Sequence, residues 1–279
     1  DGKVDIFMLH TIKYGTGSIN VHLPDTLPVD VFTPRQVPPL ANPTAAFIKA
    51  LDMPEGCPRL GDMAVPKSIA IALPDETRPF PIKLLLPVLL EKIFSTFPDL
   101  NHSEVRIVVG GGLHEAPDKA QLKRILPQDL CGCTVVSHDA QNSPMRHMGV
   151  TSRGTPVEIN AAYADAELKI VMGMVDAHQF AGFTGGAKGV VVGCASAAMI
   201  AKNHSMLQSA GAYAGNIEGN PVREDLNEAG AIAGVNLAVN VALTPDKKIA
   251  ALFVGDPQKV MRSAAHETRN LYGLKQTKH

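Results

Sequence analysis

Between His178 and His204 the chain reads HQFAGFTGGAKGVVVGCASAAMIAKNH, a histidine at each end and Lys188 inside a glycine-dense turn. Gly182, Gly185, Gly186, Gly189 and Gly193 keep side-chain bulk off this loop, so its backbone N–H groups can close on an anion and positive φ is accessible; such a loop can cradle a phosphate. Lys188 and His204 lie sixteen residues apart, and one continuous helix would hold them roughly 24 Å from each other. The glycines and the β-branched run Val190-Val191-Val192 oppose a helix there, Gly193 can reverse the chain, and a new helix can start near Ser196. Both side chains are therefore expected in one site.

Two other loops carry reactive types. Asp75 and Arg78 stand in Pro74-Asp75-Glu76-Thr77-Arg78-Pro79, and His114 follows Gly110-Gly111-Gly112-Leu113. Each has a plain reading beside a functional one. A loop histidine can simply bond a neighbouring loop, Asp75 can cap a helix with Arg78 paired to it, Lys188 can be a solvated charge, and His204 borders the buried stripe Met199, Ile200, Asn203 as a core histidine would. Familiar motifs do not fit. A Walker loop needs Gly before its Lys and Ser or Thr after it, whereas Ala187 and Gly189 flank Lys188; the polyglycine at 110–112 lacks the last glycine of a dinucleotide fingerprint.

The elements that must position these residues alternate. Val4–Leu9 and Ser18–Leu23 read as a hairpin, followed by a proline-rich connection in which Pro43 opens a helix to about Leu51. From Lys67 onward strands are expected at Ser68–Leu73, Val105–Val109, Thr134–Ser137, Leu168–Val175, Val235–Leu243 and Ile249–Val254, with an irregular β segment over Gly149–Asn160. Helices are expected up to Phe97, capped by Asp75 or Thr77 with Pro79 in the first turn, at Asp118–Leu126, Ser196–Leu207 and Pro221–Ala233, and from Pro257. This is an α/β pattern: a mostly parallel sheet with helices on both faces. Open parallel sheets bind ligands beyond the carboxyl ends of their strands, and three strands here end in the loops holding Asp75 and Arg78, His114, and His178 with the glycine loop. That convergence assigns them to one site.

Composition narrows the partners. A net charge of −1, 45% hydrophobic and 5% aromatic residues over 279 positions, and no tryptophan argue for a small-molecule ligand and against nucleic acid or an anionic membrane. No apolar run is long enough to span a bilayer, no leader pattern opens the chain, and the four cysteines lack disulfide-framework spacing, so a cytoplasmic setting is expected. Cys131-Gly132-Cys133 lacks the further ligands a zinc site needs.

Asp75-Glu76-Thr77-Arg78-Pro79, Gly112-Leu113-His114, Gly154-Thr155-Pro156 with Asn160, His178 with Gly182 to Lys188, Asn203-His204 and Gly219-Asn220-Pro221 together resemble the nickel-dependent lactate racemase family in order and spacing. The resemblance runs from about Tyr14 to the end and is to the first of the family's two lobes: residues 1–66 would be a hairpin and proline-rich lead-in, and 67–279 the cofactor-binding α/β core. It implies a nickel-pincer nucleotide tethered to Lys188, His204 as the nickel ligand, His114 and His178 as paired acid/base groups, Asp75 and Arg78 at cofactor and substrate, and Thr184, Gly182, Gly185, Gly186 and Asn203 around the cofactor. It also implies cofactor maturation proteins as partners, and a C-terminal lobe or another chain closing the cleft, since that lobe has no counterpart here. The family usually has serine at the position of Thr184 and proline at that of Val192. The implied reaction is racemisation or epimerisation of a 2-hydroxy acid by hydride transfer, because the α-proton of such an acid is too weakly acidic for ready removal. Two alternatives stay open: a zinc hydrolase built on His114, His178 and Asp75, and a non-catalytic nucleotide- or phosphate-binding module.

Overall fold

The computed structural model describes residues 7–15, 17–24, 26–30 and 35–273. The first stretches form one unit by themselves, an antiparallel hairpin of β1 (Phe7–Tyr14) and β2 (Gly17–Pro24) in the register Phe7 to Pro24. The expected strand starts at Val4; residues 4–6 lie outside the described ones. Leu9, Ile12, Tyr14 and Ile19 are exposed on this hairpin.

The second unit, Arg35–Gly273, holds everything else. In chain order it contains α1 (Pro43–Asp52), β3 (Ile69–Pro74), α2 (Ile82–Thr96), β4 (Val105–Gly110), α3 (Lys119–Ile125), β5 (Thr134–Ser137), β6 (Met145–Val150), β7 (Pro156–Asn160), α4 (Ala161–Ala164) and β8 (Leu168–Met174). Then follow the short pair β9 (Ala177–His178) and β10 (Gly182–Phe183), α5 (Lys188–Val191), α6 (Ala197–His204), α7 (Pro221–Ile232), β11 (Leu237–Leu243), β12 (Ile249–Gly255) and α8 (Pro257–Tyr272). The six-stranded sheet has the order β12-β11-β8-β3-β4-β5, parallel except for β12, which returns antiparallel to β11. β6 and β7 form a separate hairpin, which resolves the irregular β segment expected at 149–160.

Strand alternation gives the sheet two unlike faces. Ile69, Ile71, Leu73, Ile107, Val109, Ile170 and Met172 point to one side and pack with Leu85, Leu86, Leu89, Leu90 and Ile93 of α2 and Phe47 and Leu51 of α1. Ala70, Ala72, Val108, Val171 and Ala238 point to the other, against α4, α5, α6 and α7. Side chains this small let backbone come close: a Cβ on Gly189 would sit 2.7 Å from Val171 Cγ2. The bulky face supplies most of the burial, at about 1.5–3 kcal/mol per enclosed aliphatic side chain. The small face supplies room for α5.

One boundary differs from expectation. α2 begins at Ile82 with Pro81 at its cap, and neither Asp75 nor Thr77 caps it. The Asp75 carboxylate turns back on its own loop instead, accepting from Thr77 N at 3.2 Å and Thr77 Oγ1 at 2.6 Å. The loop thus keeps its shape up to the second proline.

Candidate active site

Pro74 of β3 pairs with Gly110 of β4, and Ala72 of β3 with Val171 of β8, so the carboxyl ends of three neighbouring strands lie side by side. From β3 the chain adds β4 and β5 on one side and later places β8 on the other. That reversal is a topological switch point, where loops diverge and leave a crevice. A cavity of about 140 Å³ opens there, with Asp75, Arg78, His114, His178, Thr184 and Lys188 in its wall. It has room for a small organic acid.

Asp75 is 5% exposed and His114 is open to solvent. His114 Nδ1 lies 2.7 Å from Asp75 Oδ2, and a carboxylate can only accept, so the proton sits on Nδ1 and the Nε2 lone pair is left over. Burial works against the Asp75 charge, but the hydrogen bonds from Thr77 and His114 outweigh it and hold the carboxyl below its usual range. Glycine is required at 111, because a Cβ there would run into Asp75 Oδ2 and stand 2.8 Å from His114 Nδ1. The polyglycine thus serves the contact between the two side chains.

His178 ends β9, and its Nδ1 accepts the Ala181 N–H at 3.2 Å, which leaves its proton on Nε2. Burial, then the charges of Lys188, His204, Arg223 and Arg78, push it down to about 3. The two histidines of the cavity are therefore unlike: His114 has a spare lone pair and His178 a spare N–H. Arg78 lies exposed at the rim, where a carboxylate can reach it.

Lys188 opens α5 and is 9% exposed. Burial, then the charges of Arg223 and Arg78, lower its ammonium to about 7, so much of it is a neutral amine near neutrality. The expectation that no helix forms here needs correction. One turn does form from Lys188 to Val191, because the small sheet face accepts it, and it breaks at Val192 (φ −125°) before Gly193. The broken helix keeps Lys188 and the next helix from running in line.

The glycine loop, expected to cradle a phosphate, has two of its amides bonded within the protein. The Gly186 amide is spent on Asn240 Oδ1 at 2.8 Å and that of Lys188 on Gly185 O at 3.4 Å. Gly185 (φ +84°) and Gly186 (φ +58°) are needed for their backbone and for close packing on Val175, Asn240 and Pro257. Gly182 likewise packs on the backbone of Asn216. The Thr184 hydroxyl donates to Met174 O and accepts from Asp176 N, both at 2.9 Å, pinning the loop to the end of β8.

His204 ends α6, whose N-cap Ser196 accepts from Met199 N. Its imidazole is outside the cavity wall, one ring away: His178 stacks edge-on against Phe180 at 4.7 Å and Phe180 against His204 at 4.9 Å. Burial and the Lys188 charge push it down to about 4. Asn203, expected beside the cofactor, is 1% exposed and stands behind His204, whose Nδ1–H it accepts at 3.0 Å.

Three buried polar residues were not anticipated. Asn240 holds the Gly186 amide, Arg223 donates to Ala181 O and Phe183 O with Nη1 left without a partner, and Asp225 receives Thr151, Thr155 and Asn203. Their signal was present as polar residues in phase with apolar stripes: Asp225 between Val222 and Leu226 on α7, Asn240 inside an otherwise apolar strand. Among the described residues no three His, Cys, Asp or Glu side chains are grouped to hold a metal ion, so the zinc hydrolase alternative finds no ligand set.

A parallel sheet with a polar crevice at its switch point is the arrangement in which α/β domains take small ligands. The lactate racemase N-terminal domain family model matches residues 14–215. The lactate racemase of Lactiplantibacillus plantarum is 35% identical over 224 residues, covering 78% of this chain and 51% of that protein. That of Thermoanaerobacterium thermosaccharolyticum is 31% identical over 255 residues, covering 89% of this chain and 59% of that protein. The structure of the latter's apoprotein superposes with a TM-score of 0.83 at 28% identity, over 95% of this chain and 63% of that one. A Thermotoga maritima protein shares the fold, with a TM-score of 0.65 at 14% identity over 85% of this chain and 60% of that one. The chain belongs to the lactate racemase family. It spans 51–59% of the length of these two relatives.

Proposed function

We propose that this chain is the cofactor-binding catalytic lobe of a racemase or epimerase acting on a 2-hydroxy acid through a nickel-pincer nucleotide, with Lys188 as the tether and His204 as the protein ligand to nickel. The donor set fits such a group. Lys188 is a buried amine with a pKa lowered to about 7, suited to covalent linkage, and His204 has its Nδ1–H bound to Asn203, so Nε2 remains for a metal. When bound, the group supplies a hydride acceptor and donor for the substrate's α-carbon.

The remaining chemistry falls to the chain itself. Arg78 binds the carboxylate through charge-assisted hydrogen bonds. His114, its tautomer held by Asp75, takes the hydroxyl proton at Nε2. His178 faces the same cavity and offers Nε2–H to the oxygen; burial and then the nearby cations keep this imidazole neutral. The planar 2-keto acid held between the two imidazoles takes its proton back on oxygen from the His114 imidazolium that received it, while His178 Nε2–H hydrogen-bonds that oxygen. Thr184 and Asn240 keep the loop and Lys188 in place.

The single observation carrying this reading is the buried, partly neutral Lys188 in one cavity with two differently prepared histidines. A phosphate-binding module has no use for that pair. The four free cysteines, and the lack among the described residues of any helix long and apolar enough to cross a membrane, support a cytoplasmic setting. A C-terminal lobe or another chain would close the cleft, and maturation proteins would load the cofactor. The test is intact-mass spectrometry of protein produced with such maturation proteins, followed by incubation with single-enantiomer 2-hydroxy acids. An adduct of several hundred daltons on Lys188 and loss of optical purity are expected; an unmodified lysine in active protein overturns the proposal.

A further inference from the structure

Asp225 is 0% exposed on α7, and among the described residues every group that reaches it is neutral: Thr151 Oγ1, Thr155 Oγ1 at 2.8 Å and Asn203 Nδ2 at 2.8 Å. A buried carboxylate without a countercharge is costly, and an amide or apolar side chain would pack there at less expense to stability. The arrangement does something an amide cannot. A carboxylate only accepts, so Asn203 must turn its NH2 toward Asp225, where it also reaches Val222 O at 3.2 Å, and its Oδ1 toward His204. An Oδ1 facing Nδ1 in turn only accepts, which puts the imidazole proton on Nδ1.

We propose that Asp225 is a positioning residue which, through the amide orientation of Asn203, sets the tautomer of His204 and so leaves Nε2 unprotonated for the metal. The proposal rests on the assignment of His204 as the nickel ligand. The chain of groups has the form of the outer-shell partners that fix ligating histidines, whose loss commonly lowers metal affinity by about 10–100-fold. It has an added switch, because a side-chain amide can invert. In Asp225→Asn the new NH2 competes with Thr155 and Asn203 as donors. Asn203 then presents Oδ1 to position 225 and its NH2 to His204 Nδ1, giving up its bond to Val222 O. That inversion moves the imidazole proton to Nε2 and blocks the lone pair. Thr151 and Thr155 belong to the same hub: the Thr151 hydroxyl accepts from Thr155 N at 3.0 Å, so its own proton points to Asp225. The loop between β6 and β7 thereby holds the carboxylate against α6.

The experiment reads the tautomer directly in the cofactor-free 279-residue chain, by two-bond nitrogen–proton correlation NMR of uniformly 15N-labelled protein at neutral pH. The wild type is expected to show His204 mainly as Nδ1–H and Asp225→Asn mainly as Nε2–H, while Thr155→Val, which keeps the carboxylate and the Asn203 contact, stays as wild type. Melting temperature and amide dispersion report whether each variant folds. Asn203→Leu, nearly the same shape and without an acceptor for His204, supplies the comparison if Asp225→Asn does not fold, and its Nδ1–H population should drop as well. A second readout is nickel per chain in protein loaded by the maturation proteins, where Asp225→Asn should retain the Lys188 adduct and lose nickel about 10-fold or more. Folded Asp225→Asn or Asn203→Leu that keeps His204 as Nδ1–H overturns the proposal. If His204→Ala retains full nickel while the tautomer moves in Asp225→Asn, the ligand assignment falls and the relay through Asn203 is upheld.

Discussion

His138 and His204 each have an asparagine as partner, yet they are wired differently. His138 is 1% exposed, accepts from Asn160 Nδ2 at Nδ1 (3.1 Å) and lies with Nε2 3.1 Å from Ala195 O, so both nitrogens are spent. His204 donates Nδ1–H to Asn203 and has no partner for Nε2 among the described residues. His114 and His178 share that incompleteness at the cavity. A histidine satisfied on both sides clips β5 and β7 to the start of α6, whereas one satisfied on a single side is held ready for something that is not protein.

The sharpest way to break the comparison is at the lysine the unsatisfied histidines surround. Lys188→Ala should remove the covalent adduct and reduce racemisation to background, read by intact mass and by loss of optical purity. Next, His114→Asn and His178→Asn should each lower kcat/KM by about 10²–10⁴-fold with the adduct retained. A loss of the same size in His138→Asn would erase the distinction. His138→Ala should instead lower stability by about 1–3 kcal/mol through unpaired Asn160 and Ala195 groups, seen as a lower urea midpoint, with the adduct intact.

The pH dependence of stability sharpens the same contrast. Burial lowers His138, and His178 and His204 fall to about 3 and about 4, all below the value near 6.5 expected in the unfolded chain. The unfolded state therefore takes up protons first as pH falls. The share of stability that these histidines carry is full above about 6.5 and declines as pH drops from about 6.5 toward 3. Urea midpoints at pH 7.5 and 5 should show the decline, and His178→Gln with His204→Gln should flatten it only in part, leaving the share of His138. The smallest effect is expected at Thr184. Serine keeps the bridge from Met174 O to Asp176 N and should change stability by less than about 0.5 kcal/mol, whereas valine should cost about 1 kcal/mol by chemical denaturation.

Much of this was legible in the chain. Six strands of the sheet, the helix from Pro43, the helix near Asp118–Leu126 and the meeting of three strand ends follow from apolar periodicity and from the way parallel sheets leave their loops. What stayed hidden was set by contacts distant in sequence. Asp75 reads as a cap for α2 because Asp caps helices, but its partner is His114, thirty-nine residues on. Gly182, Gly185 and Gly186 read as an anion cradle because glycine permits one, while what they approach is Asn216, Val175 and Pro257. His138 drew no notice because nothing local separates a structural imidazole from a reactive one. Asp225 and Asn240 were findable as polar residues on apolar stripes, though not what they hold.

The alanines at 70 and 72 act as shims beneath the short helix that opens with Lys188. Both are buried, so the volume of an added methyl group there would press on that helix and displace its amine. Residues that never touch a ligand thus govern the reach of the tether, and screens for altered cofactor loading should return substitutions in the floor of the sheet as well as in the wall of the cavity.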